Sequence, residues 1–319
     1  QKKPPAEAGG KRTPEKMTCF RPLKGYINPE GQFKSSIRGQ GWGIRTQVPC
    51  GYCLGCRIRK RNDWAIRCHH ESKFHQVSTF ITLTYDTEHL PMHSSLHKPH
   101  LTAFLNGTRQ SNGSARTRFF ASGEYGTKTH RPHYHAILFG YWPTDFKQAR
   151  TGKPYAEGTS EKLSKLWNKG FVTCGAVNYA TAAYVAKYCL ERPTENLADR
   201  TFYYQRQDPI EDRQVDVEPE FNCQSPGLGK LWIQKYWTDV YPSDELVLLS
   251  GQQATVFKPP LYYDKWLRDN KPEIYAQVKL QRMQNTDPDS PENGETRLAI
   301  RELSKRANMK ASQTKRNLK

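Results

Sequence analysis

The stretch from Ser122 to Gly140, SGEYGTKTHRPHYHAILFG, constrains the fold of this chain more than any other. Its second half alternates as a strand does: His133, His135, Ile137 and Phe139 share one side, and Tyr134, Ala136 and Leu138 the other. Two imidazoles therefore lie on one face of one strand. Upstream, Arg118 to Gly123 (RFFASG) reads as a partner strand, and a hairpin between the two sets Glu124 beside the histidines. Two neutral imidazoles and a carboxylate suit a divalent cation, imidazole being a borderline donor and carboxylate a hard one. Such a set keeps coordination positions open, which catalysis on a bound substrate requires.

Asn178 to Glu191 (NYATAAYVAKYCLE) has no Gly or Pro before Pro193 and reads as a helix. At about 100° per residue, Ala182, Val185, Ala186 and Cys189 form a small apolar stripe, with Tyr184, Lys187 and Tyr188 clustered opposite it. A phenol with a pKa of about 10 becomes a nucleophile when a cation favours its phenolate. Lys187 can supply that charge, or a proton for a leaving oxygen.

Together these motifs resemble the HUH endonucleases: rolling-circle replication initiators, relaxases and single-strand transposases. His133-Tyr134-His135 matches the histidine-hydrophobe-histidine signature, with a more polar middle residue than usual. Tyr184-x-x-Lys187 matches the nucleophile motif and Phe80 to Asp86 (FITLTYD) the first strand motif, in the family's order. More narrowly, the sequence is similar to the replication initiators of small icosahedral single-stranded DNA phages of the gokushovirus type (Microviridae). The likeness runs through CFRPL at 19–23, PCGYCLGCR at 49–57, WAIR at 64–67, TLTYDTEHLP at 82–91, GEYG at 123–126, RPHYHAILFG at 131–140, AAYVAKY at 182–188 and PGLGKLW at 226–232.

The resemblance implies an α+β fold: an antiparallel sheet with the histidine strand central, helices on one face, and the tyrosine helix across the other. It further implies a nickase in which His133, His135 and Glu124 hold Mg²⁺ or Mn²⁺. Tyr184 or Tyr188 then attacks a phosphodiester of single-stranded origin DNA in a phage replicative form, leaving a 5′-phosphotyrosine and a free 3′-OH. The alternatives are a mobilisation relaxase and a zinc-bearing DNA-binding protein without catalysis.

Lys and Arg outnumber Asp and Glu by 49 to 31, a formal charge of +18 that suits a polyanionic partner. No apolar run is long enough to span a membrane, and the expected location is the host bacterial cytoplasm. No nucleotide-hydrolysing motif is present, so unwinding and synthesis are expected from a host helicase and DNA polymerase. Ser225 to Trp232 (SPGLGKLW) reads as a turn before a helix whose amides could hold a phosphate.

Cys50-x-x-Cys53-x-x-Cys56 has the spacing of a tetrahedral zinc site, with Cys19 as fourth ligand across a hairpin from Tyr26 to Arg45. A finger built from Cys53, Cys56, His69 and His75 is the rival set, and unligated thiols are a third possibility. Cys68, Cys174, Cys189 and Cys223 read as packing residues. Between Arg57 and Gln76 a helix carries Arg57, Arg59, Lys60, Arg61 and Arg67 around Trp64, which suits DNA binding; equally, Trp64 belongs to a core. Arg131, beside the metal strand, is a further DNA-binding candidate, and His130 could touch phosphate.

His89, His93, His97 and His100 are expected in a solvated loop, and 141–171 as a helical connection. The divisions expected are a disordered 1–17, a zinc module at 18–56, an endonuclease domain at 57–192, an acidic insertion at 193–224, an extension at 225–284 and a basic tail at 285–319. Residues 195–220 carry eight acids and three bases, and 297–319 eight bases and one acid. The former reads as a solvated insertion, the latter as a mobile nucleic-acid arm.

Overall fold

Cys19 and the Cys50–Cys56 segment bracket a small antiparallel sheet of β1 (Leu23–Ile27), β2 (Phe33–Lys34) and β3 (Ile44–Val48), ordered β2-β1-β3. Tyr26 pairs with Arg45, the hairpin that joins the first cysteine to the other three. The structure, a computed structural model, describes residues 19–28, 32–35, 43–113, 116–126, 129–149, 157–187, 203–208, 210–250, 253–285 and 290–317. Two units emerge, residues 1–56 with 287–319 and residues 57–286. The division falls within helix α1 (Leu54–Ser72).

The larger unit is built on a sheet whose strands alternate as their sequences do. In chain order come β4 (Ser78–Tyr85), helix α2 (Lys98–Ser111), β5 (Arg118–Tyr125) and β6 (Pro132–Phe139). The short β7 (Lys147–Gln148) and β8 (Glu157–Thr159) follow, then helix α3 (Glu161–Trp167) and β9 (Gly170–Ala176). Helix α4 (Tyr179–Ala186) starts from a capping box between Asn178 and Thr181. A small hairpin of β10 (Gln205–Gln207) and β11 (Gln214–Asp216) precedes β12 (Phe221–Gln224).

The main sheet is ordered β12-β5-β6-β4-β9-β8-β7, with every pairing antiparallel. The histidine strand β6 is interior, third of seven; the middle place expected for it belongs to β4. Tyr134, Ala136 and Leu138 face Leu101, Phe104 and Leu105 of α2 and Leu163 and Trp167 of α3. On the opposite face Phe120, Ile137 and Phe139 pack with Ala65 and Cys68 of α1 and Ala182, Val185 and Ala186 of α4. The tyrosine helix therefore shares its side of the sheet with α1.

Several expectations need correction. Residues 98–111, left in a loop because of Pro99 and the histidines, form α2; proline is welcome in a first turn, where its missing N–H has no partner to lose. The histidines ahead of it are tied rather than solvated, with His89 on Asp86 and His100 Nδ1 2.8 Å from the Tyr85 hydroxyl. The end of the acidic segment, expected as an insertion, supplies the edge strand β12 paired to β5, and Val217 is buried in the core. Residues 141–171 contribute two short strands besides α3.

The turn at Gly227–Gly229 leads into helix α5 (Lys230–Val240), and its amide is already engaged: Gly229 N–H donates to Glu71 Oε2 at 2.8 Å. The anion at this helix start is the chain's own carboxylate, which Arg118 also pairs. Hairpin β13 (Leu246–Ser250) and β14 (Gln253–Phe257) follows, then helices α6 (Leu261–Asn270) and α7 (Pro272–Gln284). Ile233, Tyr263, Leu267 and Val278 join Ile66 in a third apolar cluster. The basic tail, expected as a mobile arm, is helical as α8 (Glu295–Asn317), with Leu298 and Glu302 buried.

His70 ties α1 into that third cluster. Its ring stacks on Trp232 at 3.6 Å between centroids, and Nδ1 lies 2.8 Å from the Tyr263 hydroxyl. Burial, helped by the charges of His69 and Lys73, holds its pKa down to about 2. The folded state therefore refuses a proton that the unfolded chain accepts below its ordinary pKa of about 6.5. Stability is fully present above that value and falls by about 1.4 kcal/mol per pH unit below it. Denaturant titrations at neutral and mildly acidic pH should show this slope, and His70→Gln should flatten it by that amount.

Candidate functional site

Register places the chemistry. In the β5–β6 ribbon Glu124 stands opposite His133 and Ser122 opposite His135, while β4 sets Thr84 and Thr82 on their other side. Directly opposed residues of an antiparallel ladder point to the same face, so the carboxylate and both imidazoles converge. His135 Nε2 lies 2.9 Å from Glu124 Oε1, and His133 Nε2 contacts the same oxygen. All three ligand atoms fall within 4.8 Å of one another.

The surroundings orient both rings for a cation. His133 Nδ1–H donates to the Arg131 carbonyl at 3.2 Å, and His135 Nδ1 lies 2.9 Å from Thr82 Oγ1. With both Nδ1 atoms engaged, both Nε2 lone pairs are directed at Glu124, the arrangement found around metal-bound histidine. Burial pushes the Glu124 carboxyl up, but the hydrogen bonds from His133 and His135 outweigh it and hold it below the usual carboxylate range. Burial also lowers His135, against the pull of Glu124, so its imidazole is neutral as a ligand must be. Glu124 Oε2 is buried with no hydrogen-bond partner. A buried carboxylate oxygen without a donor fits the role of a cation ligand.

Tyr184 projects from the flank of α4 rather than from its apolar stripe. Its ring meets His135 edge to face at 5.1 Å and Phe80 at 6.1 Å, and 42% of its surface remains exposed. Lys187 Nζ lies 5.9 Å from the centre of that ring. The structure thus gathers Glu124, His133, His135, Tyr184 and Lys187. Tyr188 and Cys189 lie outside the described residues.

Of the DNA-binding candidates, Lys60 is exposed on α1 while Arg57, Arg59 and Arg61 are half-buried, with Arg61 donating to Asn62 Oδ1 at 2.8 Å. Arg131 donates through Nη2 to the carbonyls of Tyr85 and Asp86, securing the end of β4 beside the triad. Trp64 takes the core alternative: it packs on Phe120 at 5.0 Å, with the Arg67 guanidinium over its other side. Thr82 and the Arg131 carbonyl escaped the sequence reading. The threonine was open to discovery through the alternation of β4; the carbonyl has no sequence signal.

The second cluster lies in the smaller unit. Cys19, Cys50, Cys53 and Cys56 are buried with their sulfurs mutually within 4.8 Å. Cys53 Sγ lies 3.8 Å from Cys19 Sγ and Cys50 Sγ 4.0 Å from Cys56 Sγ. A tetrahedron with metal–sulfur bonds of about 2.3 Å has edges of about 3.8 Å, so the set fits one ion. Backbone amides of Phe20, Cys50 and Cys53 donate to these sulfurs at 3.3 Å, as expected around thiolates. The rival finger set is not assembled: His75 Nε2 instead bonds Glu71 at 3.1 Å.

Residues 78–192 match the family of the phage replication-associated protein ORF2. Replication-associated protein VP4 of Bdellovibrio phage phiMH2K is 30% identical over 279 residues, 83% of this chain and 82% of that one. Replication-associated protein ORF2 of Spiroplasma virus 4 is 30% identical over 281 residues, 81% of this chain and 83% of that one. Replication-associated protein ORF4 of Chlamydia phage 1 is 30% identical over 152 residues, 44% of this chain and 37% of that one. No solved structure matches.

Two sites of different chemistry should respond separately. Calorimetric titration with Mn²⁺ should show about 10- to 100-fold weaker binding in Thr82→Val, because the ring it orients is set free. Elemental analysis should find a metal that Cys53→Ala loses and Thr82→Val retains.

Proposed function

The chain belongs to the family of phage replication-associated proteins, and from that premise we propose that it initiates rolling-circle replication as a site-specific single-stranded DNA nickase and strand transferase. One observation carries the reading: a half-exposed tyrosine ring lies 5.1 Å from a buried histidine that shares its ligand oxygen with a second histidine. The fit of Glu124, His133 and His135 to a hard divalent ion favours Mg²⁺ or Mn²⁺, and the all-sulfur set favours Zn²⁺. When bound, the divalent ion supplies charge that polarises the scissile phosphate.

The chain's own residues provide the rest. Tyr184 Oη attacks phosphorus, giving up its proton to solvent as the Oη–P bond forms. The P–O3′ bond breaks in line, and Lys187 lends its proton or its charge to the departing 3′ oxygen. The 5′ phosphate stays on the tyrosine and the 3′-OH primes synthesis. Tyr188, one helical turn on, is the second nucleophile of the scheme; it cuts the regenerated origin while Tyr184 is occupied, so the displaced strand rejoins as a circle. Lys60 and its neighbours on α1, together with Arg131, track phosphates. A host helicase and DNA polymerase complete the reaction in the bacterial cytoplasm.

Purified protein incubated with single-stranded origin DNA and Mn²⁺ should yield a protein–DNA adduct that survives denaturation. Glu124→Ala should lower its formation at least about a hundredfold, consistent with loss of metal-supplied charge stabilisation. Tyr184→Phe together with Tyr188→Phe should abolish it. A salt-sensitive mobility shift with no adduct would leave only a DNA-binding protein, and cutting confined to a transfer origin would identify a relaxase.

A further inference from the structure

The sheet face that carries the metal ligands continues past them. Two rows of side chains cross it, one from Ser122 through His135 and Thr82 to Thr173, the other from Glu124 through His133 and Thr84 to Phe171. The next row, Phe120, Ile137 and Phe80, lies in the apolar cluster with α1 and α4. Beyond it Thr82, Thr84 and Thr173 are half-buried and form a low floor. At the end of the floor Phe171 is 70% exposed.

An isolated surface phenylalanine needs no explanation. This one is singled out by register. Only Thr84 separates it from His133, a span of two strand spacings or about 10 Å. Its outer flank is also open: β8 pairs with β9 at Gly175 and Cys174 and, among the described residues, no strand pairs with β9 further toward Phe171. A flat ring at the edge of a threonine floor, with Tyr184 and Lys187 on the same side of the sheet, matches what an unpaired nucleotide needs. Bases stack on aromatics regardless of sequence, while cations receive the backbone.

We propose that Phe171 is the stacking platform for an unpaired base next to the scissile phosphate, fixing where along the strand Tyr184 meets phosphorus. This rests on the nuclease reading above and adds a positioning residue to it. The occupant is single-stranded DNA rather than duplex, because only an unstacked base offers its face to a side chain. The threonines keep the floor low enough for a nucleotide to lie between the ring and the triad.

The test walks 2-aminopurine through a single-stranded oligonucleotide carrying the cut site, using wild type, Phe171→Ala and Phe171→Trp in parallel with the adduct assay. Expected is quenching confined to a base flanking the cut in wild type and Phe171→Trp, lost in Phe171→Ala, with binding weakened about tenfold. An abasic residue at that position should weaken wild type to the level of Phe171→Ala and leave the variant unchanged. A merely structural role would not move that pairing of protein and DNA changes. If the adduct forms but affinity, quenching and cut position are the same in Phe171→Ala, the platform is refuted and the nuclease reading stands. If wild type forms no adduct, both fall together.

Discussion

The antiparallel register of β5 on β6 is the constraint on which the site depends. Glu124 opposite His133 brings a carboxylate to two imidazoles that alternate onto one side of a strand. A slip of one residue would turn the glutamate to the other face, among the side chains packed on α2 and α3. The register is held at both ends. Gly126 N–H donates to Arg131 O at 3.0 Å where the ribbon turns, and Phe119 N–H donates to Ser225 Oγ at 3.0 Å at the other end. Both faces of β6 are buried over most of its length, so a slip would also misplace its apolar side chains.

That burial gives the site its chemistry. His135 and Glu124 lie in an interior where a lone charge is costly, and their contact only partly satisfies the carboxylate, since Oε2 has no donor. A divalent ion would satisfy the oxygen and both Nε2 lone pairs together. Thr82 and the Arg131 carbonyl already hold the rings in position, so little ordering remains for binding to impose. The carbonyl comes from a residue whose guanidinium secures β4, so one residue serves both the fold and the site.

Much of this arrangement was legible in the sequence because it is local and periodic. Strands β4, β5, β6 and β9 follow from alternation, the Glu–His–His convergence from a hairpin, and Cys19 as fourth sulfur from a second hairpin. What escaped was set by distant partners. Phe221 and Cys223 sit in an acidic stretch whose composition suggests solvent, yet they pair with Gly123 and Ala121 to make the sheet's edge. The Gly-rich turn before α5 was rightly read as wanting an anion, but the anion is Glu71, far upstream on α1. Helix α2 was hidden by Pro99, a residue that breaks a helix interior and is neutral at its start.

The small side chains of α4 set the distance on which the nucleophile depends. A helix lies on a sheet at a separation fixed by the residues between them. Here these are Ala182, Val185 and Ala186, all fully buried against Phe120, Ile137 and Phe139. Bulkier residues would lift the helix and carry Tyr184 away from His135. The helix is also short, begun by the Asn178–Thr181 box, so its start is fixed by hydrogen bonds rather than by a long buried stripe. Tyr184 leaves the stripe at the point where the apolar row of the sheet gives way to the histidine row, and its ring contacts both Phe80 and His135. The same boundary separates what needs packing from what needs access: the helix is anchored on one side of it, and the phenol reaches over the other.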